Sequence, residues 1–240
     1  RGGLRGFGVF LACIVLGVAT IAGVGSVARG MTQGLATEGR AILGGDVSAA
    51  LLQREATPEE RAWLESRGTV STVATLRAIA RTGDGEGQAL VELKAVDSLY
   101  PLVGRVEIAG GGDLAALLAP VEGIPAALAE AELVTRSGIA VGDRFRLGTG
   151  TFVLRGIIES EPDRLSDGFF FGPRLTIASD APAATGLVQP GSLVEWRYRL
   201  LMPGDPSDAT VDAFGEVAGE AFPEAAWRVR TRTDAAPALE

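Results

Sequence analysis

FGVFLACIVLGVATIAGVGSV, residues 7–27, runs for 21 residues without one charged side chain, and how it is read governs the rest of the chain. As an α-helix at 1.5 Å per residue it would be about 31 Å long, close to the hydrocarbon thickness of a bilayer. A signal peptide is the rival reading, since Arg1 and Arg5 form a basic leader and Ser26-Val27-Ala28 resembles a small-x-small cleavage site. The apolar part of a signal peptide is usually about 7–15 residues, so the length favours a retained transmembrane helix over residues 1–28. Both readings put the residues beyond 28 outside the cytoplasm and Arg1 and Arg5 inside, by the positive-inside bias. Small residues lie four apart on this helix at Gly8/Ala12, Ala19/Gly23 and Ala22/Ser26. Such spacing lets a second helix approach closely, although small residues are also common in membrane helices generally.

Outward from the run the chain turns polar and acidic. The 240 residues carry 22 basic and 30 acidic side chains; setting aside Arg1 and Arg5 leaves 20 against 30 beyond residue 28. A body of that charge has no basic stripe with which to displace counterions from a nucleic acid, and little electrostatic attraction to anionic lipid. The single cysteine, Cys13, lies inside the apolar run, and there is no histidine. An internal disulfide and a cysteine-based metal site are thereby excluded, and the usual general base and zinc ligand are missing.

Val27, Met31, Leu35 and Ile42 keep helical spacing past the membrane edge, which predicts a stalk helix over 29–45 ending at Gly44-Gly45. The glycine pair reads either as a hinge or as an ordinary helix cap. Asp46 to Leu52 is a strand candidate. Thr57-Pro58-Glu59-Glu60 is a helix start with a capping box, and the helix stops by Gly68. Strands come next at 70–80 and 89–96, joined by the turn Thr82-Gly83-Asp84-Gly85. Short helices are expected at 113–119 and 125–137, a hairpin at 144–147 and 151–159, and a strand at 174–178. A strand at 193–202, a helix at 207–222 and a strand at 227–231 complete the pattern. The layout is strand-helix-strand-strand, an insertion, then strand-helix-strand. It predicts an α+β fold: a porter-like βαββ…βαβ sandwich from 46–96 and 191–233, with a strand-rich lobe inserted at 97–190.

The search for chemistry returns mostly exclusions. There is no GxxxxGK[ST] phosphate loop and no GxSxG elbow, and a Ser-His-Asp triad cannot be built without histidine. No catalytic, cofactor-binding or metal-ligating set is therefore assigned. Glu159, Glu161 and Asp163 form an acidic cluster after a strand; without the regular spacing of a calcium loop it reads as a solvated turn. Phe169-Phe170-Phe171 cannot all face one side of a strand, so at least one is a candidate for exposure to a partner or to lipid. Burial between two lobes is the other reading.

Residues 1–27 together with ILGGDV (42–47) resemble the start of an FtsX/MacB-like ABC-transporter permease of the YbbP-like subgroup. LVELKAVDSLYPLVG (90–104), GDRFRLG (142–148), EPDR (161–164), FGPRLTIA (171–178) and TGLVQPGSLVEWRYRL (185–200) extend the likeness along the whole chain. The resemblance implies a first membrane helix and a MacB-like periplasmic domain of a bacterial inner-membrane permease. It implies further helices of the same permease as neighbours, and a separate cytoplasmic ATPase subunit that binds the ATP, with no cofactor in this chain. It also suggests export or extraction of a hydrophobic or lipid-like substrate, with a periplasmic esterase or lysophospholipase as partner. A scaffold that recruits an envelope hydrolase is the alternative.

Overall fold

The computed structural model describes residues 15–19, 39–164 and 172–235. Of the run 7–27, residues 15–19 are described, and they are helical and exposed. Among the described residues no helix is long and apolar enough to cross a membrane.

A short helical stretch at 39–43 leads into β1 (Val47–Leu52), α1 (Pro58–Glu65), β2 (Thr69–Thr82) and β3 (Gln88–Val96). Next come β4 (Glu107–Ile108), α2 (Leu114–Leu118), β5 (Ala126–Glu130), α3 (Ala131–Ser137), β6 (Arg144–Leu147), β7 (Gly150–Ser160) and β8 (Arg174–Ala178). The chain ends through α4 (Pro182–Thr185), β9 (Glu195–Leu201), α5 (Asp208–Asp212), α6 (Phe214–Ala221), β10 (Arg228–Thr231) and α7 (Arg232–Ala235). The capping box is formed as its sequence requires: Glu60 N–H donates to Thr57 Oγ1 at 3.2 Å, and Thr57 N–H donates to the Glu60 carboxylate at 2.7 Å.

Among the described residues ten strands form one sheet, in the order β10-β1-β9-β2-β3-β8-β5-β7-β4, with β6 pairing both β2 and β7. That double pairing closes β2, β3, β8, β5, β7 and β6 into a ring. Its interior is filled from every member by alternate residues, among them Leu76 and Ala80, Val91 and Leu93, Phe145, Phe152, Leu154, Leu175 and Ile177. Small residues (Ala74, Ala78, Ala89, Ala95, Ala127, Ala129) leave the room that Phe145 and Phe152 occupy, their ring centroids 6.0 Å apart. Closure also protects sheet edges that would otherwise be open. Strands from 126–178 thus lie directly against β2 and β3, with β8 parallel to β3. They continue the sandwich sheet outward from its β3 edge, in the order β8-β5-β7-β4, and β6 turns back onto β2.

The other end of the sheet, β10-β1-β9-β2, carries its helices on one face. Val47, Leu51, Val70, Tyr198 and Leu200 pack there under Leu64 of α1 and Val211, Phe214 and Ala218 of α5 and α6. Trp63 meets Phe214 edge-on at 5.4 Å.

Two expected helices differ from what forms. Residues 125–137 divide into β5 and α3. The alanine-rich start has helix propensity, but Ala127, Leu128 and Ala129 are wedged between β8 and β7, where the ladders on both sides and full burial override it. The expected helix 207–222 is interrupted at Ala213, which ends α5 and begins α6.

Candidate coupling site

The stretch at 39–43 ends where the glycine pair begins. Gly44 N–H and Gly45 N–H both donate to Arg40 O at 3.0 Å, and Gly44 has φ +76°, the left-handed geometry of a helix cap. Its lack of a side chain has a second use: a Cβ here would lie 2.8 Å from Arg199 Cδ, so the backbone rests on the arginine stem. Asp46, wholly buried, fastens the next residue. It accepts from Arg40 Nε at 2.7 Å, Arg232 Nη1 at 2.7 Å and Met202 N–H at 2.9 Å. Residues 40–46 are therefore tied to β9 and to the start of α7.

From Gly44 the Arg199 side chain runs through the interior and pairs with Asp163. Lys94 of β3 reaches the same carboxylate at 3.1 Å, Tyr100 Oη at 2.6 Å and Glu161 at 3.4 Å. The Tyr100 hydroxyl donates to Asp163 Oδ1 at 2.7 Å. Arg174 of β8 pairs with Glu161 and bonds Glu92 through Nε at 2.8 Å. Lys94, Asp163 and Arg174 are each wholly buried. The expected solvated turn is thus corrected at Glu161 and Asp163: cations from three strands converge on these carboxylates and replace water around them.

Burial pushes the Lys94 ammonium down to about 8, against the pull of Glu161 and Asp163. Burial works the other way on Asp163, but Lys94 and Arg199 outweigh it and hold the carboxyl well below its ordinary range. The Tyr100 hydroxyl is pushed well above its usual value by burial and by the two carboxylates. Arg174 is disfavoured by burial yet raised overall by Glu161 and Glu92. Charges paired across three strands are suited to holding parts in register. Among the described residues no group of three or more His, Cys, Asp or Glu could hold a metal ion.

Of the residues singled out in the sequence, Gly44 and Gly45 lie at this junction. Ala19 is helical and exposed. Gly8, Ala12, Gly23, Phe169, Phe170 and Phe171 lie outside the described residues. Lys94, Tyr100, Arg174 and Arg199 escaped sequence reading. The signal for two of them was a cation inside an otherwise strand-like run, Lys94 in LVELKAV and Arg199 in WRYRLL.

No protein-family model matches the chain. Over 192 residues it is 32 % identical to the uncharacterized ABC transporter permease YbbP of Escherichia coli (strain K12), a match covering 77 % of this chain and 22 % of YbbP. In sequence the chain is thus similar to an ABC transporter permease. The chain spans about a fifth of the length of that relative, 22 %. Its fold is that of known domains of the kind. It matches the periplasmic region of MacB from Actinobacillus actinomycetemcomitans at TM-score 0.53 and 11 % identity, covering 80 % of this chain and 91 % of that one. It also matches the extracellular domain of the noncanonic ABC-type transporter YknZ from Gram-positive bacteria at TM-score 0.51 and 11 % identity, covering 77 % and 100 %. The MacB-like α+β domain expected from the sequence is therefore present.

Proposed function

We propose that this segment is the part of a permease subunit that receives motion from the membrane and passes it into an extracytoplasmic domain. Residues 1–28 would form the first transmembrane helix and 29–45 the stalk, in a bacterial inner membrane with the rest of the segment in the periplasm. A separate cytoplasmic ATPase would supply the energy, and the substrate exported or extracted would be hydrophobic or lipid-like. The inserted lobe at 97–190 and the porter-like parts at 46–96 and 191–233 would be the moving bodies, with Gly44-Gly45 as the hinge.

One observation carries the reading: the end of the 39–43 helix rests, through Gly44, on Arg199, whose guanidinium pairs with Asp163 in the segment after β7. A displacement of the helix end is delivered to a stiff, desolvated contact rather than to a solvated linker that would absorb it.

The test uses the complete permease. It is purified from native membranes, its associated ATPase activity is measured, and Ala19 and Gly23 are replaced by leucine in one variant and Gly44 by valine in another. The first variant is expected to lose helix packing and assembly, the second to keep assembly but lose coupled activity. A permease that purifies with no ATPase overturns the reading. An envelope hydrolase bound stoichiometrically in its place favours the scaffold alternative.

A further inference from the structure

The outward face of the closed ring carries an arrangement that costs the fold something and that the coupling role does not use. In the β2–β6 pairing Arg81 stands directly opposite Arg146. Both side chains are exposed on the same face, and neither has a hydrogen-bonded or ion-pair partner among the described residues. Like charges opposite each other on neighbouring strands destabilise a sheet. The row continues on either side with hydrogen-bonding groups, Gln88 opposite Arg81 on β3 and Thr151 opposite Arg146 on β7. Four strands thus present Gln88, Arg81, Arg146 and Thr151 side by side, in a chain whose net charge is −8.

The next row is apolar. Ile79 stands opposite Leu90, and they are 45 % and 47 % exposed. Arg81, Arg146, Ile79 and Leu90 line one cleft of about 820 Å³. It shares Arg77 and Leu187 with a second cleft of about 630 Å³, whose walls include Leu52 and Leu193. These two leucines are 52 % and 71 % exposed. The surface therefore runs from the Arg81–Arg146 end, where Asp84 also lines the cleft, across a band of aliphatic side chains, into a groove walled by leucines together with Glu92 and Glu195.

We propose that this face binds an anionic single-chain amphiphile. Its oxyanion sits between Arg81 and Arg146, and its chain lies over Ile79 and Leu90 toward Leu187. Charge complementarity selects the head group, because an oxyanion between two guanidiniums converts their repulsion into paired, charge-assisted hydrogen bonds. The apolar row and the adjoining cleft select a chain: inorganic phosphate would satisfy the arginines and leave the leucines wet. The site is independent of the coupling role, because it uses neither the Gly44 junction nor the buried charge network.

The test titrates the full chain, held in phosphatidylcholine nanodiscs, with octyl phosphate, inorganic phosphate and octyl glucoside by calorimetry, with empty nanodiscs as blank. Octyl phosphate is expected to bind at least tenfold more tightly than either control. Arg81→Ala and Arg146→Ala should each weaken it about tenfold, and Leu90→Ser should weaken octyl phosphate while leaving inorganic phosphate unchanged. Each variant's melting temperature is read alongside. Arg81→Gln without ligand should melt at or above wild type, because repulsion is relieved, whereas an arginine pair needed for folding would make it melt lower. Equal binding of octyl phosphate and octyl glucoside, or indifference to both arginine changes, overturns the proposal. So does binding that appears only when the disc contains phosphatidylglycerol, which would make the face a membrane-surface contact.

Discussion

Replacing Asp163 by asparagine removes one negative charge from the place where Lys94 and Arg199 converge. In the wild type this carboxylate takes Lys94 at 3.1 Å and the Tyr100 hydroxyl at 2.7 Å, and it pairs with Arg199. In the variant the carboxylate left within reach of Lys94 is Glu161, 3.4 Å away and already engaged by Arg174. Removing one partner of a buried ion pair costs about 3–5 kcal/mol, chiefly as the penalty of the charge left behind. For a chain of this size that is a fall in Tm of about 6–20 °C. Denaturation monitored through the three tryptophans measures it. The pH dependence supplies a sharper check. Lys94 has its folded-state value near 8 against 10.5 for the free side chain, so between those values the unfolded chain binds more protons, and stability from this lysine rises with pH. Without the Asp163 charge the folded-state value drops further and the rise begins at lower pH. The deficit of the variant should therefore shrink between about pH 6 and pH 8. Adding Lys94→Met should recover part of the loss, because the uncompensated charge is gone. A loss under about 1 kcal/mol at pH 6 would refute the reasoning, since that is the cost expected of a solvated carboxylate. A deficit independent of pH would refute the assignment to Lys94.

The same contacts yield three further expected outcomes. Gly44→Ala introduces a Cβ at 2.8 Å from Arg199 Cδ in a residue with φ +76°, so it should cost at least the ~1–2 kcal/mol of a left-handed alanine, measured by chemical denaturation. Asp46→Asn takes from Arg232, 4 % exposed at its side chain, the buried one of its two carboxylate partners and leaves it Asp208; faster hydrogen exchange at Gly44 and Gly45 than at β2 should report the loosened junction. Thr57→Ala removes one arm of the capping box and should cost about 1 kcal/mol, with the loss confined by hydrogen exchange to α1 and its neighbours.

Local chemistry made most elements legible. β-Branched residues marked β2 and β3; in β2, Leu76, Ala78 and Ala80 face inward and Arg77, Ile79 and Arg81 outward. The capping box fixed the start of α1, and Gly44 marked a helix end because few other residues take its φ. β5 was not legible, since AALAE has no strand signature of its own and becomes a strand only between β8 and β7. Closure of the ring was hidden for a related reason: β6 pairs with β2, more than 60 residues earlier, and that pairing has no local signal. The acidic cluster failed most plainly. Composition places Glu161 and Asp163 in water, and only the convergence of Lys94, Arg174 and Arg199 offsets the cost of burying them.

By itself, then, the sequence determined the apolar run at 7–27, the β-branched runs that make strands, the glycine stop before Asp46, and a permease resemblance that the YbbP match bears out. The reason is physical: periodicity, capping and φ preference act over a few residues and are written where they act. Tertiary structure decided that β2 and β3 serve the ring and the sandwich together, that Arg199 links Gly44 to Asp163, and that Arg81 faces Arg146. Those contacts join residues far apart in the chain, and the energy of a buried charge is set by whatever folding brings beside it.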